Sequence, residues 1–592
     1  MGHRTLKVLS TLFIILSFAA LVSCVNNDYD LTKDIDMTVS IGGSEFAIPG
    51  GKTEEITLGK VLELDDEDLV KTDEKGNYYL EQAAEEPMIS TIEVESFIIP
   101  APFIEPIDLG VDIPNIPFPV RADLPNIPPI DFPEANTEFN FSQTGLPVEL
   151  KTISSIRTDM KTVVTLSYTN ASIKKATLTD VVLTFPEYII SEDLTNHKLS
   201  LPDVTLLSSI QNYSKTITIQ GIDCSKLKEG EGLDGKTHSI KISGEISITG
   251  KVNVNASDIT LPLRDSRLEL KANINMNTFT AKSVTGKVDP EITITADPIK
   301  LNNLPDFLSD NETHLDVENP MIFITINNGS PLEANITGTL SPYKDGKLTI
   351  TNPINFSITD ISGKSENTPA TDQRFCLSPI DPKIAGVKHC PVPDLSSLIN
   401  KIPDEIRFNI IPKAADKEVT VDLGKPEGFT FKTDYKVNVP FVFGDKLSIV
   451  YKDTIDGWME DLEDFEIQLV HVTGTVINKI PLALSLTAEP TTLNSKGEAI
   501  KLDGVEIKVK TNGKEDDNTI TTGNEQGTST ALIIEMKETK AGSMKKLDGI
   551  VLRAVAKSSQ AAAGKQLNKN QSVQLIDLKL KVPGGVKVDL NK

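Results

Sequence analysis

Aromatic residues make up only 5% of this 592-residue sequence, and tryptophan occurs once, at Trp458. A glycan binder that works by stacking needs several exposed rings, so Tyr78, Tyr79 and Trp458 are better read as packing residues. Histidine is equally scarce. His3, His197, His238, His314, His389 and His471 include no pair spaced one helical turn apart, which excludes a helical metal-binding pair of the HExxH kind. No GxSxG or CxxC is present, and Gly-Lys-Ser at 363–365 has Ile358 where a phosphate loop needs glycine. Basic residues are short as well: 59 against 84 acids, a net charge of −25. Such a surface repels phosphate backbones and argues against a nucleic-acid partner. The acidic runs at 65–68 and 514–518 lack the alternating ligands and closing glutamate of a calcium loop, and read as solvated turns. No catalytic residue, metal ligand or cofactor is therefore expected, and the chain is read as a non-enzyme. A hydrolase assembled from distant residues is the remaining catalytic class, since triads do not show in local sequence.

Long apolar runs are also missing. The longest charge-free apolar stretch is Val8–Val22, fifteen residues preceded by Arg4 and Lys7. That is too short to span a bilayer and right for the core of an export signal. It ends in Leu21-Val22-Ser23-Cys24, which resembles the bacterial lipobox. Residues 1–23 are accordingly expected to be a signal peptide, with lipid on Cys24 as the membrane anchor; each buried methylene of an acyl chain contributes about 0.8 kcal/mol. Three further cysteines remain, Cys224, Cys376 and Cys390. An oxidising compartment permits a Cys376–Cys390 disulfide worth roughly 3 kcal/mol; buried free thiols are the alternative. His389 beside Cys390 makes only a weak zinc set.

What the chain has in quantity is alternation of Ile, Leu and Val with Thr, Ser, Lys and Asn. Ile240, Ile242, Ile246, Ile248, Val252 and Val254 share one strand face with Gly244 and Gly250, and Leu268 to Met276 alternates likewise. One-faced strands of this length need a second layer, which means sandwiches rather than a parallel α/β sheet. Three stretches share one grammar of strand, Asn-led turn and strand: VVTLSYTNASIKKATL at 163–178, MIFITINNGSPLEANI at 321–336 and VTGTVINKIPLALSL at 472–486. Their asparagines, Asn170, Asn328 and Asn478, are 158 and 150 residues apart, and each copy reaches a further proline at Pro186, Pro342 or Pro490. This spacing predicts an all-β chain of about three tandem β-sandwiches.

Ten prolines between Pro100 and Pro133, with DIPNIP echoed as DLPNIP, exclude a central strand and predict an extended spacer, packed along the first sandwich or free. Free, it would reach on the order of 100 Å. A second proline-bearing stretch at 379–412 marks another boundary. The expected layout is an N-terminal β-rich region at 24–98, the proline-rich segment at 99–145, and sandwiches at 146–289, 290–415 and 416–592.

The sequel to Cys24, VNNDYDLTKDID, and the wording at 46–80, 435–457 and 477–498 resemble the large β-rich lipoproteins of the Bacteroidetes envelope. That resemblance implies lipid anchoring in the outer membrane, with the cell surface favoured over the periplasmic face. Asp453-Thr454-Ile455 resembles an O-glycosylation acceptor of these bacteria, at Thr454. The expected function is binding or scaffolding in the envelope, with a glycan or protein partner. A glycan-capturing accessory of polysaccharide uptake and a fimbrial or adhesive subunit are the alternatives.

Overall fold

The structure is a computed structural model. It describes residues 38–589 apart from short internal stretches, the longest being 63–68, 114–126, 261–265 and 365–368. The chain is all-β, and among the described residues every strand pair is antiparallel save Asp372–Ser378 with Val387–Pro391.

Three sandwiches repeat one seven-strand plan. The first strand is Ala135–Thr144, Ile299–Lys300 or Ser448–Ile455, and the second is Ser155–Thr169, Met321–Asn328 or Leu469–Asn478. The third is Lys175–Thr184, Ala334–Lys344 or Ala483–Leu493, and the fourth is Val204–Leu207, Ile354–Ile361 or Ala499–Lys501. The fifth is Tyr213–Asp223, Asp372–Ser378 or Thr528–Glu538, and the sixth is Ser239–Asn253, Glu405–Ala414 or Gly549–Lys557. The seventh is Arg267–Met276, Phe429–Pro440 or Ser572–Pro583. In every sandwich one sheet runs first, sixth, third, fourth, and the other runs fifth, second, seventh. Period-2 burial follows from this two-layer plan: Val164, Leu166 and Tyr168 on the second strand are all buried while their neighbours are not. Gly244 and Gly250 share the buried face because Tyr188, Phe139 and Pro186 cover the first and Phe132 the second, leaving no room for a Cβ.

The three asparagines end the second strand at equivalent places. They do not turn hairpins. The strands they join lie in opposite sheets, so each Asn turns the corner from one layer to the other. The side chain makes this possible. Asn170 Oδ1 accepts from the amides of Ser172 and Ile173 at 2.7 and 2.8 Å. Asn328 Oδ1 accepts from Ser330 N at 3.1 Å, and its amide donates to Leu332 O at 2.7 Å. Asn478 Oδ1 accepts from Ile480 N at 2.9 Å, and its amide donates to Leu482 O and Thr521 O, both at 2.9 Å. All three are buried, and their amides satisfy backbone groups that the sheets cannot reach.

The N-terminal strands are not a unit of their own, as the expected 24–98 region would be. Glu45–Gly51 and Ile56–Thr57 pair with the seventh strand of the third sandwich, and Tyr78–Ala83 and Met88–Ile92 with that of the second. Ile107–Asp108 and Val111–Asp112 then pair with that of the first. The chain thus runs past the three bodies in reverse order, as a strap, before building them. The described parts of the proline-rich segment are packed along the first sandwich, with Ile99, Ile107, Leu109, Val111 and Ile113 buried. Its prolines are tolerated because the strap strands are short edge strands. The expected boundary at 379–412 falls inside the second sandwich: 405–414 is its sixth strand, and 429–440, expected in the third, is its seventh. Pro412 fits there because the outer side of that strand is paired only at Glu405 and Ile406.

Each sandwich also holds the strap by an ion pair. Lys479 Nζ lies 2.6 Å from Glu55, Lys436 Nζ 2.7 Å from Glu81, and Arg267 Nη2 2.9 Å from Asp108. Hydrogen bonds from Lys479 and Ser572 hold the Glu55 carboxyl below its usual range. Burial pushes Glu81 upward, but Lys436 and Lys71 together outweigh it and the net shift is down. The Gly110 amide, and then Arg267, lower Asp108. Depressed carboxyls give stability that is fully present above the ordinary carboxylate range and is lost as pH falls through their folded values. The urea midpoint should therefore fall as pH drops below that range, and less steeply in Glu55→Gln/Glu81→Gln/Asp108→Asn; parallel pH profiles for the two proteins would contradict this. Asn328→Ala, which leaves the buried Ser330 N–H without its partner and removes the shorter of two hydrogen bonds to Leu332 O, should cost about 1–3 kcal/mol in urea unfolding.

Candidate functional site

The sandwiches are stacked end to end through a repeated joint. In the second and third sandwiches the link between sixth and seventh strands reaches back onto the preceding body. Glu418–Asp422 pairs with Ser283–Lys287 of the first, burying Val421 against Val284. Leu567 bonds to Phe441 O and accepts from Tyr78 N, both at 2.9 Å, in the second. Beside each link sits the Asn corner of the later sandwich, and a groove opens between them.

At the joint of first and second sandwiches this groove has a volume of about 760 Å³. Thr285 and Thr420 lie on its floor, their hydroxyls 2.8 Å apart. Gly329 and Pro331 of the Asn328 corner form one wall; a Cβ on Gly329 would meet Thr430 O, so glycine is required for this close approach. Lys364 is fixed to the same corner by its amide, which donates to Ser330 O at 2.7 Å. Arg157, Lys425 and Asp422 complete the lining, and Lys425 Nζ stands 4.9 Å from the Phe429 ring centroid. Arg157, Lys364 and Lys425 are exposed and, among the described residues, none is ion-paired. Other lysines nearby are: Lys282 with Asp159 at 2.8 Å, Lys287 with Asp416 at 3.0 Å and Lys417 with Glu333 at 2.7 Å. A second groove at this joint, of about 1050 Å³, is acidic, with Glu93, Glu95, Glu149, Asp289 and Glu291 around a single Lys151.

The equivalent groove between second and third sandwiches, of about 680 Å³, is lined mostly by amides, among them Asn77, Asn524, Gln526, Asn568 and Asn570. Gly523 takes the place that Gly363 holds in the other: a Cβ on either would strike the carbonyls of the Asn corner. One backbone design thus carries two surface chemistries.

The residues singled out from sequence do not meet at these grooves. Cys24 and the acidic run at 65–68 lie outside the described residues. Thr454 is exposed, on a strand that pairs along one side and is bridged on the other at Ser448. Tyr78 is buried against Phe441 and Trp458 is half-buried in the third sandwich, so neither offers a stacking face. In the second acidic run Glu515 pairs with Lys510 at 2.8 Å, and Asp517 accepts from Thr519 N at 3.0 Å. Among the described residues no group of three His, Cys, Asp or Glu is placed to hold a metal ion. Cys376 and Cys390 are free, on adjoining parallel strands and one residue out of register, Cys376 standing opposite His389. Lys364 drew notice in the sequence only as a failed phosphate loop. Arg157 and Lys425 carried no local signal, because a strand of the first sandwich and two loops of the second, distant in sequence, bring the three cations together.

No family model matches this chain, and no curated protein matches it. Among solved structures it is similar to a protein described as secreted, from Parabacteroides distasonis, at 17% identity and a TM-score of 0.33, over 52% of this chain and 84% of that one. A triple jelly roll protein of an archaeal virus turret follows at 10% identity and a TM-score of 0.10, over 83% and 91% of the two chains. Likeness this slight says nothing about what the chain does. Among the described residues no helix is long and apolar enough to cross a membrane.

Burial pushes the Cys376 and Cys390 thiols up, and Cys224 up to about 12. All three should resist a water-soluble thiol reagent at neutral pH in the native protein. Denaturation without reductant should make all three available for alkylation, counted by intact mass; a mass showing Cys376 and Cys390 unalkylated would mean that they are bonded.

Proposed function

We propose that this protein is a lipid-anchored envelope protein that works by binding or scaffolding, presenting its first sandwich away from the membrane. The observation that carries the reading is the pairing of Thr38–Ile41, the first described strand, with Val586–Asp589, the last. The first and last described strands therefore meet at the base of the third sandwich. Thr38 stands 14 residues after Cys24, a span of at most ~50 Å. A tether at Cys24 holds the third sandwich nearest the bilayer, and the strap carries the chain outward to the first. The apolar stretch before Cys24 and its lipobox-like ending supply the tether; the stacked bodies supply reach and a long lateral surface. The Asn170 corner of the first sandwich is then the outward tip.

The tether is tested by Cys24→Ala, which should move the full chain from the detergent phase to the aqueous phase; unchanged partitioning would contradict it. The order of the bodies is tested on liposomes carrying a headgroup quencher. A dye on Ala541→Cys, at the base of the third sandwich, should be quenched more strongly than one on Ala171→Cys at the tip. Equal quenching, or the reverse, would overturn the orientation.

A further inference from the structure

We infer that the groove at the joint of first and second sandwiches binds an anionic oligosaccharide, a uronate or sulfated sugar, through Arg157, Lys364 and Lys425. The inference gives a ligand class to the binding reading above and stands whether or not the chain is anchored. Three observations meet in it.

The first is charge. On a chain of net charge −25, three exposed cations line one groove with a single carboxylate, Asp422. Lys282, Lys287 and Lys417 around the joint are neutralised by acids at 3.0 Å or less, and the three groove cations are not. An unpaired cation cluster inside a concave surface is a local well for anions that the rest of the surface repels.

The second is the kind of hydrogen bonding on offer. Arg157 presents a planar fork suited to a carboxylate or sulfate, and the two lysines offer movable point charges. Between them lie the Thr285 and Thr420 hydroxyls, which can donate to and accept from sugar hydroxyls, and the Asp422 carboxylate, which accepts from them. Phe429 is buried and covered by Lys425, so no aromatic face is free for a nucleobase to stack on. A ligand with separated charges and hydroxyls between them matches this set better than a continuous phosphate backbone, which would have to run out over acidic surface.

The third is rigidity. The floor is a hydrogen-bonded strand pair between two bodies, one wall is the Asn328 corner, and Lys364 is tied to that corner through its own amide. The equivalent groove at the next joint has the same framework but is lined mostly by amides, with Lys479 paired to Glu55 and Lys565 and Glu525 as its other charges, so it is an internal control.

The test uses the full chain purified in detergent and titrated calorimetrically with an oligogalacturonate, a chondroitin sulfate oligosaccharide, neutral maltoheptaose and a single-stranded DNA oligonucleotide. At least one of the two acidic sugars should bind and the neutral one should not; which acidic sugar is the tighter distinguishes carboxylate from sulfate. Binding should weaken as salt is raised. Arg157→Gln/Lys364→Gln/Lys425→Gln should weaken it by about tenfold or more, with an unchanged thermal transition showing that the variant is folded. Gln526→Ala/Asn570→Ala in the amide groove should leave affinity unchanged. Failure of both acidic sugars to bind, equal binding by the cation-depleted variant, or tighter binding of the DNA overturns the inference. None of those results bears on the tether, which partitioning tests separately.

Discussion

A β-sandwich cannot leave a long sheet edge bare, because each exposed strand presents a row of backbone donors and acceptors that invite pairing. In this protein that constraint falls three times on the same strand, the seventh of each sandwich, and one strap meets it three times. The strap must therefore pass the bodies one after another. It does so from third to first, so that the chain can turn at the far end and build them from first to third. From this follow the meeting of Thr38–Ile41 and Val586–Asp589 at the third sandwich and the division of the described N-terminal strands among the three bodies. The first two sandwiches share a continuous apolar core that extends to Ile449, Ile480 and Leu482 of the third, whose remaining core forms two separate clusters.

The Asn corners are the second fixed element. Where the chain leaves one sheet for the other, neither ladder can take its amides and carbonyls, and the corner is too buried for water. An asparagine side chain offers an acceptor and two donors at the right length. Its burial makes it costly to lose, which fits its presence at all three corners. Two of these corners double as groove walls, held by glycines where carbonyls crowd the backbone. The framework at the joints is set by backbone contacts, so the side chains lining the grooves are free to differ, and one groove is cationic while the other is amide-rich.

Much of the fold could be read from the sequence. The alternation in 163–169, 240–254 and 268–276 lies on strands with the expected faces buried, and the near-constant spacing of Asn170, Asn328 and Asn478 marks three copies of one body. Asp345-Gly346 turns with positive φ at both residues, as its composition suggests. Two readings failed for one reason. The stretch 379–412 looks like a boundary and 24–98 looks like a β-rich region of its own, because local sequence gives the state of a segment but not its pairing partner. Pro412 lies in a strand because that strand is nearly an edge, and edges exist only in the assembled sheet.

The same division holds for the grooves. Residue order alone determined that this chain is built of strands in two layers, that the unit recurs, and that the surface is acidic, since period, repeat and charge are properties of neighbours along the chain. Only the tertiary structure decided that the strap runs backwards, that sandwich joints carry grooves, and that Arg157, Lys364 and Lys425 converge on one of them. Those outcomes depend on which edges meet, and strand pairing brings together residues separated by hundreds of positions that leave no local trace.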